Sequence, residues 1–182
     1  MRLAIPADQI RRFRGVLRRA GRREVGGVLM AEQIAAGDFR IVDFSLDAES
    51  GSAAHFVRSP EHHGAALDAF FARTGSDYTR FNYLGEWHSH PRFPVVPSIA
   101  DAKSMTALVH GERSISFAVL LILRLRWFRG LECSATAFAK GRRPSVVQVI
   151  IEPLASRPSA LCSASATHIW RATGRGARRG TP

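Results

Sequence analysis

The sequence Trp87-His88-Ser89-His90-Pro91, followed by Ser98-Ile99-Ala100-Asp101, is the most informative part of this 182-residue chain. Residues on a β-strand alternate between its two faces, so His88 and His90 are predicted to point to the same side. Asp101 is expected in the first turn of the helix that follows, where its carboxylate can supply a third ligand. Three such ligands with an open fourth position are typical of catalytic zinc, whereas structural zinc is closed by four protein ligands. The spacing therefore predicts one catalytic Zn²⁺ per chain.

Ser98 and Asp101 also fit a purely structural role. The pattern Ser-x-x-Asp is close to the capping box that begins many helices, in which the two side chains bond each other's backbone N–H groups. Capping and metal binding can coexist, because a carboxylate has several lone pairs. With two histidines upstream, we interpret Asp101 as a metal ligand that also caps its helix.

Outward from this motif, strands and helices follow one another along the chain. Apolar residues fill Ile115–Leu123 almost completely, which predicts a central strand buried on both faces. The other predicted strands are Glu24–Met30, Phe39–Leu46, Tyr83–His90, Leu131–Ala139 and Val146–Ile151. Apolar stripes at helical spacing predict helices at Asp8–Arg22, from Pro60 to about Arg73, and at Ser98–Gly111. These elements predict an α/β fold with a mixed, curved central sheet flanked by helices.

The charge of the chain is strongly positive. It has 26 Lys and Arg against 15 Asp and Glu, a formal net charge of +11. Such a charge can attract nucleic acid, an acidic membrane or an acidic protein, although arginine-rich compositions also follow from codon usage. No interleaving of aromatic and basic residues predicts a single-strand platform, so nucleic acid is not an expected partner.

Composition also bears on domains and location. Residues 1–153 are predicted to form one domain, and residues 154–182, basic and rich in small residues, a mobile tail. The longest apolar run, Phe117–Leu123, has seven residues, far fewer than the ~20 of a membrane span. We therefore expect a cytoplasmic protein with no membrane contact.

Three sequence stretches together resemble the JAMM signature of MPN/JAB-domain zinc metalloproteases. They are Glu24-Val-Gly-Gly-Val-Leu, His88-Ser-His-Pro91 and Ser98-x-x-Asp101, and the resemblance covers roughly Glu24 to Ile150. Tyr83-Leu-Gly-Glu-Trp87 is similar to the same region of bacterial members. The resemblance implies the MPN/JAB fold, with its cytidine-deaminase-like architecture, and His88, His90 and Asp101 as zinc ligands.

The resemblance also implies roles for two further side chains. Glu24 would accept a proton from the attacking water and pass it to the leaving amine. Ser98 would donate a hydrogen bond to the oxyanion of the transition state. Glu86 is the alternative general base, but we expect its side chain to point away from both histidines.

The family cleaves after the C-terminal tail of ubiquitin or ubiquitin-like proteins. We therefore expect a deubiquitinase-like isopeptidase, either deconjugating such a protein or processing its precursor. Bacterial members are often encoded beside ubiquitin-activating-like and ubiquitin-conjugating-like enzymes in antiphage defence operons, which makes these enzymes possible partners. The alternatives are a processing protease for a sulfur-carrier-type protein and a catalytically inert MPN scaffold in a larger assembly.

The polar segment Asp47–Ser59 is the candidate substrate-binding loop. It is rich in Gly and Ser and follows a predicted strand, so it can order when an extended tail pairs with it. Within it, Gly51, Ser52 and Arg58 are the candidate contacts, and Arg58 could meet an acidic face of the partner.

Overall fold

A closed β-barrel forms the centre of the fold. The computed structural model describes residues 1–47, 51–52, 55–56, 60–111, 115–126 and 130–153. The barrel strands are β1 (Arg2–Pro6), β2 (Gly26–Ala35), β3 (Asp38–Phe44), β6 (Phe81–Ser89), β7 (Phe117–Arg126), β8 (Gly130–Ala139) and β9 (Ser145–Glu152). A separate two-stranded pair consists of β4 (Gly51–Ser52) and β5 (His55–Phe56). The helices are α1 (Ala7–Ala20), α2 (Pro60–Arg73) and α3 (Ile99–His110).

The expected mixed, curved sheet closes into a barrel, which the sequence analysis did not predict. The strand order is β1-β3-β2-β6-β7-β8-β9, and β1 pairs in parallel with both β3 and β9. This short strand therefore joins the two ends of the sheet, which removes its exposed edges. The mixed α/β class is confirmed, because β6 and β7 are also parallel while the other neighbouring pairs are antiparallel.

Strand β7 separates two apolar cores, as its unbroken apolar sequence predicts. Val119, Leu121 and Leu123 belong to the larger core, which includes the buried face of α1. The alternate residues Leu120 and Ile122 pack with Met105 of α3 in a smaller core. Because neighbouring side chains point to opposite faces, one strand supports both layers. The functional site described below lies on the α3 side of this strand.

An aromatic cluster fills the larger core beneath the metal-site motif. The Phe13 and Phe44 rings stack with centroids 3.9 Å apart, and Trp87 lies edge-on to both. Trp87 is fully buried, and its indole Nε1–H donates to the backbone oxygen of Ser45 at 2.9 Å. Trp87 therefore anchors β6 from behind, which leaves its histidine neighbours on the opposite face.

Two strand glycines are required by close backbone approaches. A Cβ at Gly27 would lie 2.1 Å from the backbone oxygen of Ser45, and one at Gly85 would lie 2.0 Å from that of Val119. Gly85 also has a φ of 153°, which L-residues rarely adopt. At Gly27 the close approach of the Ser45 backbone explains why β2 carries a glycine at this position. Within the described residues, no helix combines the length and apolarity needed to cross a bilayer.

The substitution Gly85→Ala is expected to destabilise the fold by about 3 kcal/mol or more, because it adds both a backbone clash and a strained φ. Gly64→Ala in α2 is the matched control. A Cβ there meets nothing within 4 Å, and alanine favours a helix by up to about 1 kcal/mol. Denaturant unfolding of both variants tests this. Equal stabilities for the two variants would show that the Gly85 contact is not tight.

Candidate metal centre

Two imidazoles face the same cavity from the end of β6. His88 and His90 are both buried, and their Nε2 atoms lie 3.0 Å apart. The cavity has a volume of about 480 Å³ and is walled by β6, the proline-containing loop after it and the start of α3. The backbone N–H of His90 donates to the oxygen of Leu123 at 2.8 Å, which extends the pairing of β6 with β7 past the end of the strand. The backbone at the second histidine is therefore also held by the sheet.

The loop after His90 determines which ring nitrogen is available. His90 Nδ1 lies 2.7 Å from the backbone oxygen of Pro94. Because a carbonyl oxygen only accepts, Nδ1 must carry the proton, and in the neutral ring Nε2 then presents a lone pair to the cavity. The loop is fixed on either side of this contact, since Arg124 donates to the oxygen of Phe93 at 2.9 Å and Ser134 Oγ donates to that of Val95.

Asp101 reaches the same cavity from the first turn of α3. Its Oδ1 lies 3.6 Å from His88 Nε2, and its Oδ2 lies 3.8 Å from His90 Nε2. Ser98 N–H donates to Asp101 Oδ2 at 2.7 Å, and Asp101 N–H donates to Ser98 Oγ at 3.1 Å, which completes a capping box. The capping role and the position beside the histidines therefore coexist, and the cap orients the carboxylate.

The Asp101 carboxyl is held in its charged form. Burial acts to raise its pKa, but the adjacent His88 and the hydrogen bonds from Ser98 outweigh burial and hold the pKa well below its usual range. A carboxylate that stays ionised is the form that binds a cation. The side chain is thus electrostatically suited to act as a ligand.

The donor set fits zinc. One ligand atom from each of His88, His90 and Asp101 can be chosen so that all lie within 4.8 Å of one another. Zn–N bonds of about 2.0–2.1 Å in tetrahedral geometry place ligand atoms about 3.3 Å apart. The two histidine Nε2 atoms are 3.0 Å apart, and each has an Asp101 oxygen near that distance, Oδ1 at 3.6 Å from His88 and Oδ2 at 3.8 Å from His90. Two imidazoles and one carboxylate leave a fourth position for water or substrate.

Glu24 lies beside the histidines because of the way β2 enters the barrel. Ser89 N–H donates to the oxygen of Val25 at 2.8 Å, and Val25 N–H donates to Ser89 Oγ at 3.0 Å. Gly26 is paired with His88 in the antiparallel register, so continuing that register sets Glu24 opposite His90 on the same face. Glu24 is buried and lines the cavity with the three candidate ligands.

Comparison with known proteins identifies the fold family. Residues 6–138 match the family of prokaryotic homologs of the JAB domain. The chain belongs to this prokaryotic JAB-domain family. No curated protein sequence matches the chain significantly.

Two solved structures were found to be similar to this chain, of which one bears on the fold. The solution structure of protein DSY2949 from Desulfitobacterium hafniense is similar, with 21% identity over 83% of this chain and 93% of that one and a TM-score of 0.63. A second solution structure, of a Salinibacter ruber protein, has 21% identity over 81% and 91% of the two chains and a TM-score of 0.47. At such identity the likeness to DSY2949 supports the fold alone.

In this JAB-domain chain, Glu86 lies in the site, which corrects the expectation that it points away. Residues 86, 88 and 90 are two apart, so on one strand all three share a face. Glu86 is buried and lines the metal cavity together with His88, His90 and Glu24. It also lines a neighbouring cavity of about 610 Å³ between α2 and the start of β6. Period-two alternation alone was sufficient to find it.

The remaining predicted residues of the JAB domain lie at the edge of the site or outside it. Ser98 is exposed and lines the cavity mouth. Gly51 and Ser52 form β4, which pairs antiparallel with His55 and Phe56 of β5. Arg58 lies outside the described residues, as does the predicted tail, residues 154–182. The short β4–β5 pair lies within the polar segment that was predicted as a loop.

Proposed function

We propose that this protein is a zinc-dependent peptidase that cleaves the bond after the C-terminal tail of a ubiquitin-like protein, either from a conjugate or from a precursor. The observation that carries the proposal is the shared cavity, in which Glu24 stands beside the group formed by His88, His90 and Asp101. A metal triad alone serves many purposes. A buried carboxylate facing it supplies the base that hydrolysis needs.

His88, His90 and Asp101 would hold the zinc. When bound, zinc lowers the pKa of its water and polarises the scissile carbonyl. Glu24 accepts a proton at its carboxylate and later delivers it to the leaving amine, which is lysine Nζ in an isopeptide. Ser98 Oγ accepts from Asp101 N–H, so its own O–H remains a donor for the oxyanion that develops on the carbonyl. Phe93 and Pro94 line one flank of the cavity.

An extended tail is the form of substrate that fits such a site. A backbone bond reaches a recessed metal only when its chain is extended, and pairing with a strand edge holds a chain without demanding particular side chains. The β4–β5 pair is separate from the closed barrel and supplies such an edge. In a bacterial cytoplasm, activating-like and conjugating-like enzymes would make the conjugates that this enzyme removes.

Ser98 can be tested separately as a cap and as an oxyanion donor. Ser98→Ala is expected to cost about 1 kcal/mol of stability, whereas Ser98→Gly should cost only a few tenths. Both remove the hydroxyl, so both should lower turnover by about 10². Thermal unfolding and single-turnover kinetics measure the two effects. Normal turnover in Ser98→Gly would restrict Ser98 to capping.

Deletion of residues 51–54 is expected to raise KM or abolish conjugate cleavage while leaving zinc content and melting temperature nearly unchanged, because β4, which the deletion removes, is not a strand of the barrel. Steady-state kinetics, elemental analysis and thermal unfolding check the three parts. Truncation after Arg171 is the control and should leave cleavage intact. If the truncation impairs cleavage and the deletion does not, the basic tail rather than the loop recruits the substrate.

The proposed reaction is tested with zinc-loaded full-length protein and a set of ubiquitin-like tail peptides. Each peptide is presented once as an isopeptide on lysine and once as a linear fusion, and products are identified by mass spectrometry. Cleavage of an isopeptide after the tail supports deconjugation. Cleavage of linear fusions alone supports a processing protease, including one for a sulfur-carrier-type protein. Absence of any cleavage with zinc bound would favour an inert scaffold.

A further inference from the structure

A second, smaller cavity behind the metal ligands is lined by arginines. It has a volume of about 190 Å³, and its walls include Arg22, Arg23, Arg92 and Arg124 together with Ser89. Leu17, Pro91 and Leu125 complete much of its apolar wall. We call it the arginine pocket. These arginines come from the segment after α1, the loop after His90 and the end of β7, so the fold rather than a local sequence run gathers them.

The arginine pocket has no acidic side chain among its described lining residues. Arg2, Arg12, Arg40, Arg73 and Arg80 each pair with a carboxylate. In the pocket, Arg124 pairs with Glu132, whereas Arg22, Arg23 and Arg92 have no ion pair within the described part of the chain. Arg22, Arg23 and Arg92 are exposed, and like charges that line one cavity without a counter-charge raise its positive potential. Such a wall is suited to a bidentate oxyanion, a carboxylate or a phosphate.

The arginine pocket and the metal cavity are separated by a single layer of chain. Arg23 lines the arginine pocket, and the next residue, Glu24, lines the metal cavity. In the same way, Arg92 lines the pocket and Phe93 lines the metal cavity. Ser89 faces the pocket from the same strand end on which His88 and His90 face the metal cavity. The two cavities adjoin at these chain segments, so a protein substrate that extends from the metal cavity across the loop after His90 would come near Arg92.

We propose that the arginine pocket is an oxyanion-binding site that docks an acidic segment of the protein substrate beside the metal cavity. This inference rests on the proposed function for the identity of the partner. An acidic polypeptide is favoured over nucleic acid because the pocket has no aromatic side chain among its described lining residues on which a base could stack. Free phosphate shares the oxyanion chemistry and is separated from a carboxylate segment by experiment.

The test uses full-length protein carrying Glu24→Gln and a fluorescein-labelled hexaglutamate peptide, with binding followed by anisotropy at low and raised ionic strength. The unmodified arginine pocket is expected to bind the peptide, with an affinity that falls as salt is added. Replacing Arg22, Arg23 and Arg92 together with alanine should weaken binding by about tenfold or more. Because no bond is cleaved, failure of the peptidase proposal does not affect this measurement.

The matched control replaces Lys140, Arg142 and Arg143 with alanine. These three residues are exposed, and their replacement removes the same charge as the pocket variant does. They lie in the turn between β8 and β9, at the end of the barrel where Ala139 pairs with Phe117. Arg124 pairs across to Glu132 toward the opposite end of the same strand pair. The control should bind like the wild type. Single Arg92→Glu, in a loop, repeats the test if the triple variant does not fold.

Three results would overturn the inference. They are no binding of hexaglutamate at low ionic strength, equal losses in the pocket and control variants, and displacement of the peptide by inorganic phosphate at concentrations as low as the peptide's own dissociation constant. The last result would identify free phosphate as the ligand. Weak competition by phosphate, together with a loss confined to the pocket variants, supports docking of an acidic segment.

Discussion

Replacing Glu24 with glutamine is expected to lower turnover by about 10² or more while the fold and the bound zinc are retained. Glutamine has nearly the same shape as glutamate, so the packing of this buried side chain changes little. It cannot accept a proton from water at neutral pH, however, and the reaction then lacks its base. Single-turnover cleavage by zinc-loaded protein measures the loss, with elemental analysis confirming the zinc content.

Glu86→Gln is the matched variant, because Glu86 is a second buried carboxylate in the same cavity. If Glu24 is the base, Glu86→Gln should retain more than about a tenth of the wild-type rate, since it removes no proton-transfer step. Normal turnover by Glu24→Gln combined with a large loss in Glu86→Gln would assign the base to Glu86 instead.

Removing a ligand is expected to have the second large effect, namely loss of bound zinc. His88→Ala leaves two protein ligands, too few for a stable site of this type. His110→Ala is the control, because His110 is an exposed histidine of α3 whose Nδ1 bonds its own helix at Thr106. The first variant should retain little zinc and the second about one ion per chain. Equal zinc contents would place the metal elsewhere.

Asp101 requires a subtler variant, because alanine would remove the helix cap together with the ligand. Asp101→Asn keeps an oxygen that can accept from Ser98 N–H, so the helix cap at the start of α3 should be retained. It removes the negative charge that favours a cation. We expect a melting temperature near that of the wild type with much weaker zinc binding, measured by competition with a chelator. Unchanged zinc affinity would limit Asp101 to its capping role.

Much of the fold was predictable where a long apolar or periodic segment decides it. The unbroken apolar run of β7 and the apolar stripe of α2 predicted those elements. A strand buried on both faces is apolar at every position, whereas a helix buried on one side is apolar at every third or fourth position. Barrel closure was missed because β1 has five residues and ends at Pro6, too short for a clear alternation. Its Leu3 and Ile5 are buried because β1 pairs with β3 and β9, which the sequence of β1 alone does not indicate.

In the candidate site, too, the local features were predictable and those that depend on tertiary structure were not. His88, His90 and Asp101 are close in sequence, so strand alternation and a helix start were enough to predict that they meet. Glu86 was misplaced although the same alternation puts it on the histidine face. The arginine pocket carries no sequence signal, because its residues lie on three separate segments that only the tertiary fold brings together.

Elemental analysis of freshly purified wild-type protein tests the central claim most directly, because every proposed step depends on a metal held by His88, His90 and Asp101. The account predicts about one zinc ion per chain, removed by a chelator and restored by added zinc. Protein that contains no transition metal, and takes up none after zinc is added, would contradict it.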